Sequence, residues 1–351
     1  MDTLYISKPP LFSFEEAMRY TTRGFDDPRY VVEEGRVSTA IAGAPRNGGA
    51  PGSVGSHGGT RDAITVIRVA DAGETLAVEV LRDGAEIGGT NAPAGGAGPV
   101  SRRDSGAPAG VGEHDADSGA RRVEHYVRRW FDLDRDLSEW EALVRRAPQP
   151  VRSAFTSLLG FRLVALPSLF EALAWCVLGQ QIHLGFAYRL KRRLSERYAA
   201  CVDVDGRRHY LFPEPAVLAA ASREDLREMQ LSYRKADYLI GLAALFRDGE
   251  LTEESIAGLG DTASMMHRLR AVRGIGDWSA AYGLLKGLGR RDAVPYGDSG
   301  LAAAYSRLFS TAGKPSRGEL EDFFALFPGW EGYAAFYLWR TLLNTETPER
   351  A

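Results

Sequence analysis

From residue 121 onward, apolar residues recur every three or four positions, the spacing that gives an α-helix one buried face. Val123, Tyr126, Val127, Trp130 and Phe131 open the series. Further helical segments are predicted near 138–146, 152–159, 168–178, 183–199, 214–220, 222–229, 233–247, 262–272, 277–287, 298–309, 317–326 and 330–343. The region before residue 90 follows another rhythm. Residues 30–32, 37–41, 63–69 and 75–81 are short β-branched runs bounded by glycine, aspartate and charged residues, which predicts strands. One helix is predicted among them, over 14–20 behind a Ser13 cap. Two stretches, 43–60 and 88–120, are dominated by Gly, Ala, Ser and Pro. Such composition buries too little surface to order itself, so both are expected to be flexible insertions. Strands first and helices afterwards predict an α+β fold by segregation. The expected division is a small antiparallel β-rich domain over 1–120 and a helical domain over 121–351.

Composition narrows the picture little. With 351 residues the chain has room for two domains and a sizeable core. Its 44% hydrophobic and 25% charged content is ordinary for a globular protein. No apolar run is long enough to span a bilayer, and Met1-Asp-Thr-Leu-Tyr-Ile-Ser-Lys-Pro-Pro10 lacks a basic-then-apolar signal layout. A cytoplasmic protein without membrane contact is expected. Two cysteines, Cys176 and Cys201, cannot build a four-ligand zinc or iron–sulfur site, and the six histidines show no ligand pairing. Phosphate-loop and dinucleotide fingerprints are absent too, so no side-chain metal site and no cofactor is expected. The net charge of −3 argues mildly against a nucleic-acid partner. A local patch would suffice, however, and Arg189, Lys191, Arg192, Arg193 and Arg197 fall on one predicted helix. That run is either a solvated face or a phosphate-contacting one.

Chemistry concentrates later in the chain. An amphipathic segment carrying Met265, Met266, Leu269 and Val272 runs into Gly274-Ile275-Gly276 and then into a second helical pattern. The two glycines permit a sharp turn while Ile275 packs inward. Alone, Gly-Ile-Gly is also what a generic helix–helix turn looks like. At the start of a helix, though, free N–H groups and the helix dipole favour a phosphate, which makes 262–287 a helix-hairpin-helix able to hold nucleic-acid backbone. Trp278 follows two residues after Gly276, and about twenty residues on comes Asp298, in a loop that contains Pro295, Gly297 and Gly300.

With these residues the sequence resembles the helix-hairpin-helix (HhH-GPD) DNA glycosylase superfamily, and within it the alkylbase subfamily that includes bacterial DNA-3-methyladenine glycosylase II. The resemblance is strongest from Phe170 to Leu343. It implies a small antiparallel N-terminal domain before a two-lobed, all-helical glycosylase domain, acting on double-stranded DNA that contains damaged bases. It implies that Trp278, Tyr282 and Trp339 line the base pocket, with Trp330 and Tyr333 as further family aromatics. On spacing alone Trp278 and Tyr282 read as core aromatics sooner than as pocket walls, and Trp330 and Tyr333 also suit a structural role. Asp298 would be the catalytic carboxylate; its residue type and place also suit a helix N-cap, and the two roles are compatible. The resemblance makes Gly274, Ile275 and Gly276 phosphate-gripping residues, whose backbone carbonyls can hold a structural Na+ or K+. Bifunctional relatives carry a lysine where this chain has Trp278, so a monofunctional hydrolase that leaves an abasic site is implied.

The segment ending Gly179-Gln180-Gln181 resembles the turn that carries the residue filling the vacated base position, where some relatives have leucine. Gln180 or Gln181 would plug that gap, or the pair is simply a polar helix break. Arg234 and Lys235 match a further family segment that could approach DNA. A monomer working at the nucleoid is the expected form. Two alternatives stay open: a glycosylase for another damaged or mismatched base, and a non-catalytic DNA-binding module.

Overall fold

The structure, a computed structural model, describes residues 3–22, 27–43, 64–85 and 113–343. The expected insertions over 44–60 and 88–112 lie outside the described residues.

Five strands form one sheet in the order β1-β5-β4-β3-β2, from β1 (Thr3–Ser7), β2 (Tyr30–Glu33), β3 (Arg36–Ala42), β4 (Ile64–Ala72) and β5 (Thr75–Ala85). The pairs β2·β3, β3·β4 and β4·β5 are antiparallel, with Thr39 opposite Ile67 and Ile67 opposite Val80. β3 is buried over five consecutive residues, as a central strand covered on both faces should be. Its link to β2 turns through Glu34 and Gly35, both at positive φ, the geometry of a two-residue hairpin.

Fifteen helices occur among the described residues. The first six are α1 (Phe14–Thr21), α2 (Glu113–Trp130), α3 (Ser138–Arg146), α4 (Val151–Thr156), α5 (Leu169–Gly179) and α6 (Leu184–Tyr198). Next come α7 (Pro215–Ala219), α8 (Arg223–Glu228), α9 (Tyr233–Arg247), α10 (Glu253–Ala257) and α11 (Thr262–Arg270). The last four are α12 (Asp277–Leu288), α13 (Ser299–Phe309), α14 (Arg317–Phe324) and α15 (Glu331–Leu342). No described helix is long and apolar enough to cross a membrane.

The α+β reading holds, with three departures. β1 and the five-residue α10 carry too few residues to show a period. Residues 113–120, read as part of an insertion, are the first turns of α2. The third departure lies inside the span expected to be all helical, where β6 (Cys201–Val204) and β7 (Arg207–Tyr210) form a hairpin. Its signal was present: Val202 and Val204 alternate with polar residues, and Asp205-Gly206 is a strong hairpin dipeptide, here at φ 50° and 72°.

The chain forms two compact units, and a single cut near residue 120 does not separate them. One comprises Met1–Ile6, Pro28–Tyr126 and Leu194–Pro213; the other Ser7–Asp27, Val127–Arg193 and Glu214–Ala351. The β6–β7 hairpin groups with the sheet because Val202 and Leu211 share an apolar cluster with Ala40, Ile64 and Val66. α1 groups with the helices, its Glu16 meeting the buried Arg340 of α15 at 2.6 Å.

Within the helical unit α5 is the central element. It is buried along nearly its whole length and, Glu171 apart, apolar on every side, which is what a helix surrounded by others requires. α12 packs against it through two small residues one turn apart. A Cβ at Gly283 would lie 2.6 Å from Leu173, and one at Gly287 2.8 Å from the Leu169 Cα. This close crossing fixes the helix that leaves the hairpin.

Candidate active site

The site is assembled from the helical unit alone. α11 starts on Asp261, which accepts from the Ser264 N–H at 2.8 Å, and ends one turn before the hairpin. Gly274 sits at φ 93° with Tyr238 of α9 directly beneath, so that any side chain there would run into the phenol ring. Ile275 is buried, as its apolar character requires. Gly276 caps α12 without supplying a side-chain acceptor, so the helix's first N–H groups are not tied up by their own cap.

α12 then carries Trp278 and Tyr282 on one face, ring centroids 5.4 Å apart and stacked. Trp339 reaches them from α15, 6.0 Å from Tyr282. Trp278 and Trp339 are half-buried and Tyr282 is buried. The three aromatics do meet, although they come from helices far apart in sequence.

Asp298 stands beside them. Its Oδ1 accepts from the Leu301 N–H at 2.9 Å, capping α13, and from Trp339 Nε1 at 2.8 Å. Its Oδ2 accepts from Trp278 Nε1 at 3.0 Å. Gly297, at φ 87°, lets the loop turn into this position. Asp298 is therefore an N-cap that also faces the aromatic cluster.

Around these groups lie residues that the sequence did not flag. Trp175 and Tyr188, with ring centroids 4.7 Å apart, join Cys176, Ala187 and Tyr282 in a buried cluster against which Trp278 and Trp339 pack. Trp175 is one apolar residue among many on a buried helix, and Tyr188 sits amid a basic run; neither position carries a sequence signal of its own. Cys176 is inert core: burial pushes its thiol well above the usual range.

A family model described as "HhH-GPD superfamily base excision DNA repair protein" matches residues 174–328. The chain is 34% identical over 223 residues to the DNA-3-methyladenine glycosylase of Bacillus subtilis, covering 63% of this chain and 72% of that one. It is 28% identical over 189 residues to DNA-3-methyladenine glycosylase 2 of Escherichia coli, 52% of this chain and 61% of that one. Among solved structures, a 3-methyladenine DNA glycosylase of Archaeoglobus fulgidus superposes with a TM-score of 0.70 at 20% identity, over 97% of each chain.

The chain is an HhH-GPD glycosylase of the DNA-3-methyladenine type.

Fold alone would not have said so much. The Clostridium acetobutylicum 8-oxoguanine glycosylase/lyase shares the architecture, with a TM-score of 0.66 at 18% identity over 97% of this chain and 96% of that one. The sequence relatives, not the fold, separate the two types.

Several other residues of this glycosylase that the sequence analysis singled out can be given their surroundings. Gln180 donates its amide to the Gly274 carbonyl at 2.8 Å and so braces the hairpin, while Gln181 is exposed at φ 57°. Lys235 donates to the Leu178 carbonyl at 2.8 Å, closing the end of α5, whereas Arg234 stays exposed. The basic run on α6 is not one face. Lys191 is buried, 2.9 Å from Asp27 and 3.1 Å from Glu171, and Arg193 donates to Gln230 at 2.6 Å. Trp330 and Tyr333 belong to the core, where they donate to Glu139 and Asp132. No cluster of three or more histidine, cysteine or acidic side chains able to hold a metal occurs among the described residues.

Proposed function

We propose that this chain excises alkylated purines of the 3-methyladenine and 7-methylguanine type from duplex DNA by hydrolysis, leaving an abasic site. The observation that carries the reading is Asp298 set among three electron-rich rings. A methylated purine of this type bears positive charge spread over its ring, and each well-placed aromatic face attracts it by about 0.5–2 kcal/mol. Such a pocket selects charge and lability and tolerates varied shapes.

The chemistry follows from that charge. As the bond from sugar C1′ to the base nitrogen breaks, its electron pair moves to the base, which leaves neutral and needs no acid. The sugar becomes oxocarbenium-like, and the Asp298 carboxylate stabilises the cation electrostatically. Water bonds to C1′ through oxygen, and its proton passes to the carboxylate and on to solvent. In this reading the hairpin around Gly274 and Gly276 and the first N–H groups of α12 hold a DNA phosphate, the Ile275 N–H being engaged with the Val272 carbonyl at 3.0 Å, with a monovalent cation on the hairpin carbonyls as an accessory brace. Gln181 fills the vacated base position, since Gln180 is engaged with Gly274. Every group invoked comes from one chain, so a monomer suffices.

A non-catalytic binding module would have no use for a carboxylate aimed into an aromatic cluster. The discriminating test is a duplex carrying one 7-methylguanine. Wild-type protein is expected to release the free base, with strand breaks appearing only after alkali. Breaks without alkali would show an amine nucleophile at work, and the hydrolytic mechanism would be wrong.

A further inference from the structure

We propose that Trp278 and Trp339 are positioning residues of the hydrolysis, orienting the Asp298 carboxylate through their indole N–H groups across a gap that Gly300 keeps open. This rests on Asp298 being the catalytic carboxylate. An ionised carboxylate has room for about four donors. Three are supplied by the chain: Trp339 Nε1 and the Leu301 N–H on Oδ1, and Trp278 Nε1 on Oδ2. They belong to α15, α13 and α12, so three helices fix the group before any substrate arrives. Charge held in place in advance needs no reorganisation as the sugar cation develops. The remaining acceptor direction, on Oδ2, is left to water or sugar.

Gly300 supplies an independent observation. It is the second residue of α13, in helical conformation, where glycine weakens the helix relative to alanine. No backbone demand explains it. A Cβ at this position would lie 2.9 Å from Asp298 Oδ1 and 3.4 Å from Trp339 Cδ1. A side chain would therefore part the indole from the carboxylate. The same two rings that are read as base-pocket walls thus also aim the catalytic group, which couples seating of the base to the geometry of the reacting anion.

Phenylalanine keeps an aromatic face and removes the N–H. Single-turnover excision of 7-methylguanine, followed against enzyme concentration, separates the maximal rate from the half-saturating concentration. Trp278→Phe and Trp339→Phe are each expected to lower the maximal rate about tenfold or more, the worth of a hydrogen bond to a charged group, while half-saturation moves less than about threefold. Replacing either tryptophan by 3-benzothienylalanine, an isostere with sulfur for N–H, should reproduce the rate loss while keeping the full ring area. Gly300→Ala should lower the maximal rate to a similar extent with an unchanged or higher thermal midpoint. If these variants keep the maximal rate and only raise half-saturation, the tryptophans are walls and the proposal falls. Asp298→Asn assayed in parallel keeps the two claims apart. Should it stay active, the catalytic assignment of Asp298 itself is wrong; should it be dead while the tryptophan variants turn over at full rate, only the positioning role is lost.

Discussion

Asp298→Asn is expected to slow single-turnover base excision by about 10²–10⁴, or about 3–5 kcal/mol of transition-state stabilisation. The fold should largely survive. Asparagine caps helices about as well as aspartate, so α13 keeps its start. Its oxygen can still serve Leu301 and Trp339, but its NH2 group would face the Trp278 N–H. That mismatch costs about 1 kcal/mol, far short of the loss in rate. Rate measured by rapid quench and stability measured by urea unfolding on the same preparation separate the two effects. A rate loss no larger than the stability loss would remove Asp298 from the chemistry.

Lys191→Met is expected to produce the largest loss of stability, about 3–5 kcal/mol, because it takes away the ammonium between two carboxylates. Lys191 and Glu171 are each only 2% exposed, and Lys191 bonds Asp27 at 2.9 Å. Burial alone would push the ammonium down, yet Asp27 and Glu171 outweigh it and raise Lys191 above its ordinary value. A group raised on folding contributes fully below its unfolded pKa, about 10.4 for lysine, and its contribution is lost only as pH rises through the higher folded value. The ion cluster should therefore be intact at neutral pH, and the deficit of the variant should be constant there. The check is urea unfolding of both proteins between about pH 6 and 9, where lysine remains charged. A deficit below about 1 kcal/mol would show the cluster to be energetically idle.

Much of this molecule was legible in its sequence. The helices of 138–146 and 233–247 were placed to the residue, since an apolar stripe long enough to bury a face leaves a clear period. Gly274-Ile275-Gly276 could be picked out because it satisfies a local turn rule, whereas Trp278 and Asp298 stand out through the family resemblance, their spacing alone suiting a core aromatic and a helix cap as well. What stayed hidden depends on partners distant along the chain. Nothing about Lys191 within a run of arginines announces that it is buried against Glu171 and Asp27. Nothing about Gln180 points to the Gly274 carbonyl, and nothing at Gly300 points to a tryptophan on α15. Trp175 and Tyr188 became part of the site only when α5 and α6 packed beside α12. The β6–β7 hairpin is a different case: its Asp-Gly turn was readable, but the helical patterns on either side masked it.

The measurement that bears most directly on the central claim is release of free base from two duplexes under single-turnover conditions, one methylated to carry 3-methyladenine and one carrying a single 8-oxoguanine. A pocket of electron-rich rings beside one carboxylate should free 3-methyladenine rapidly and leave 8-oxoguanine in place. Release of 8-oxoguanine with no release of 3-methyladenine would contradict the account, because an uncharged base would then be the one this site selects.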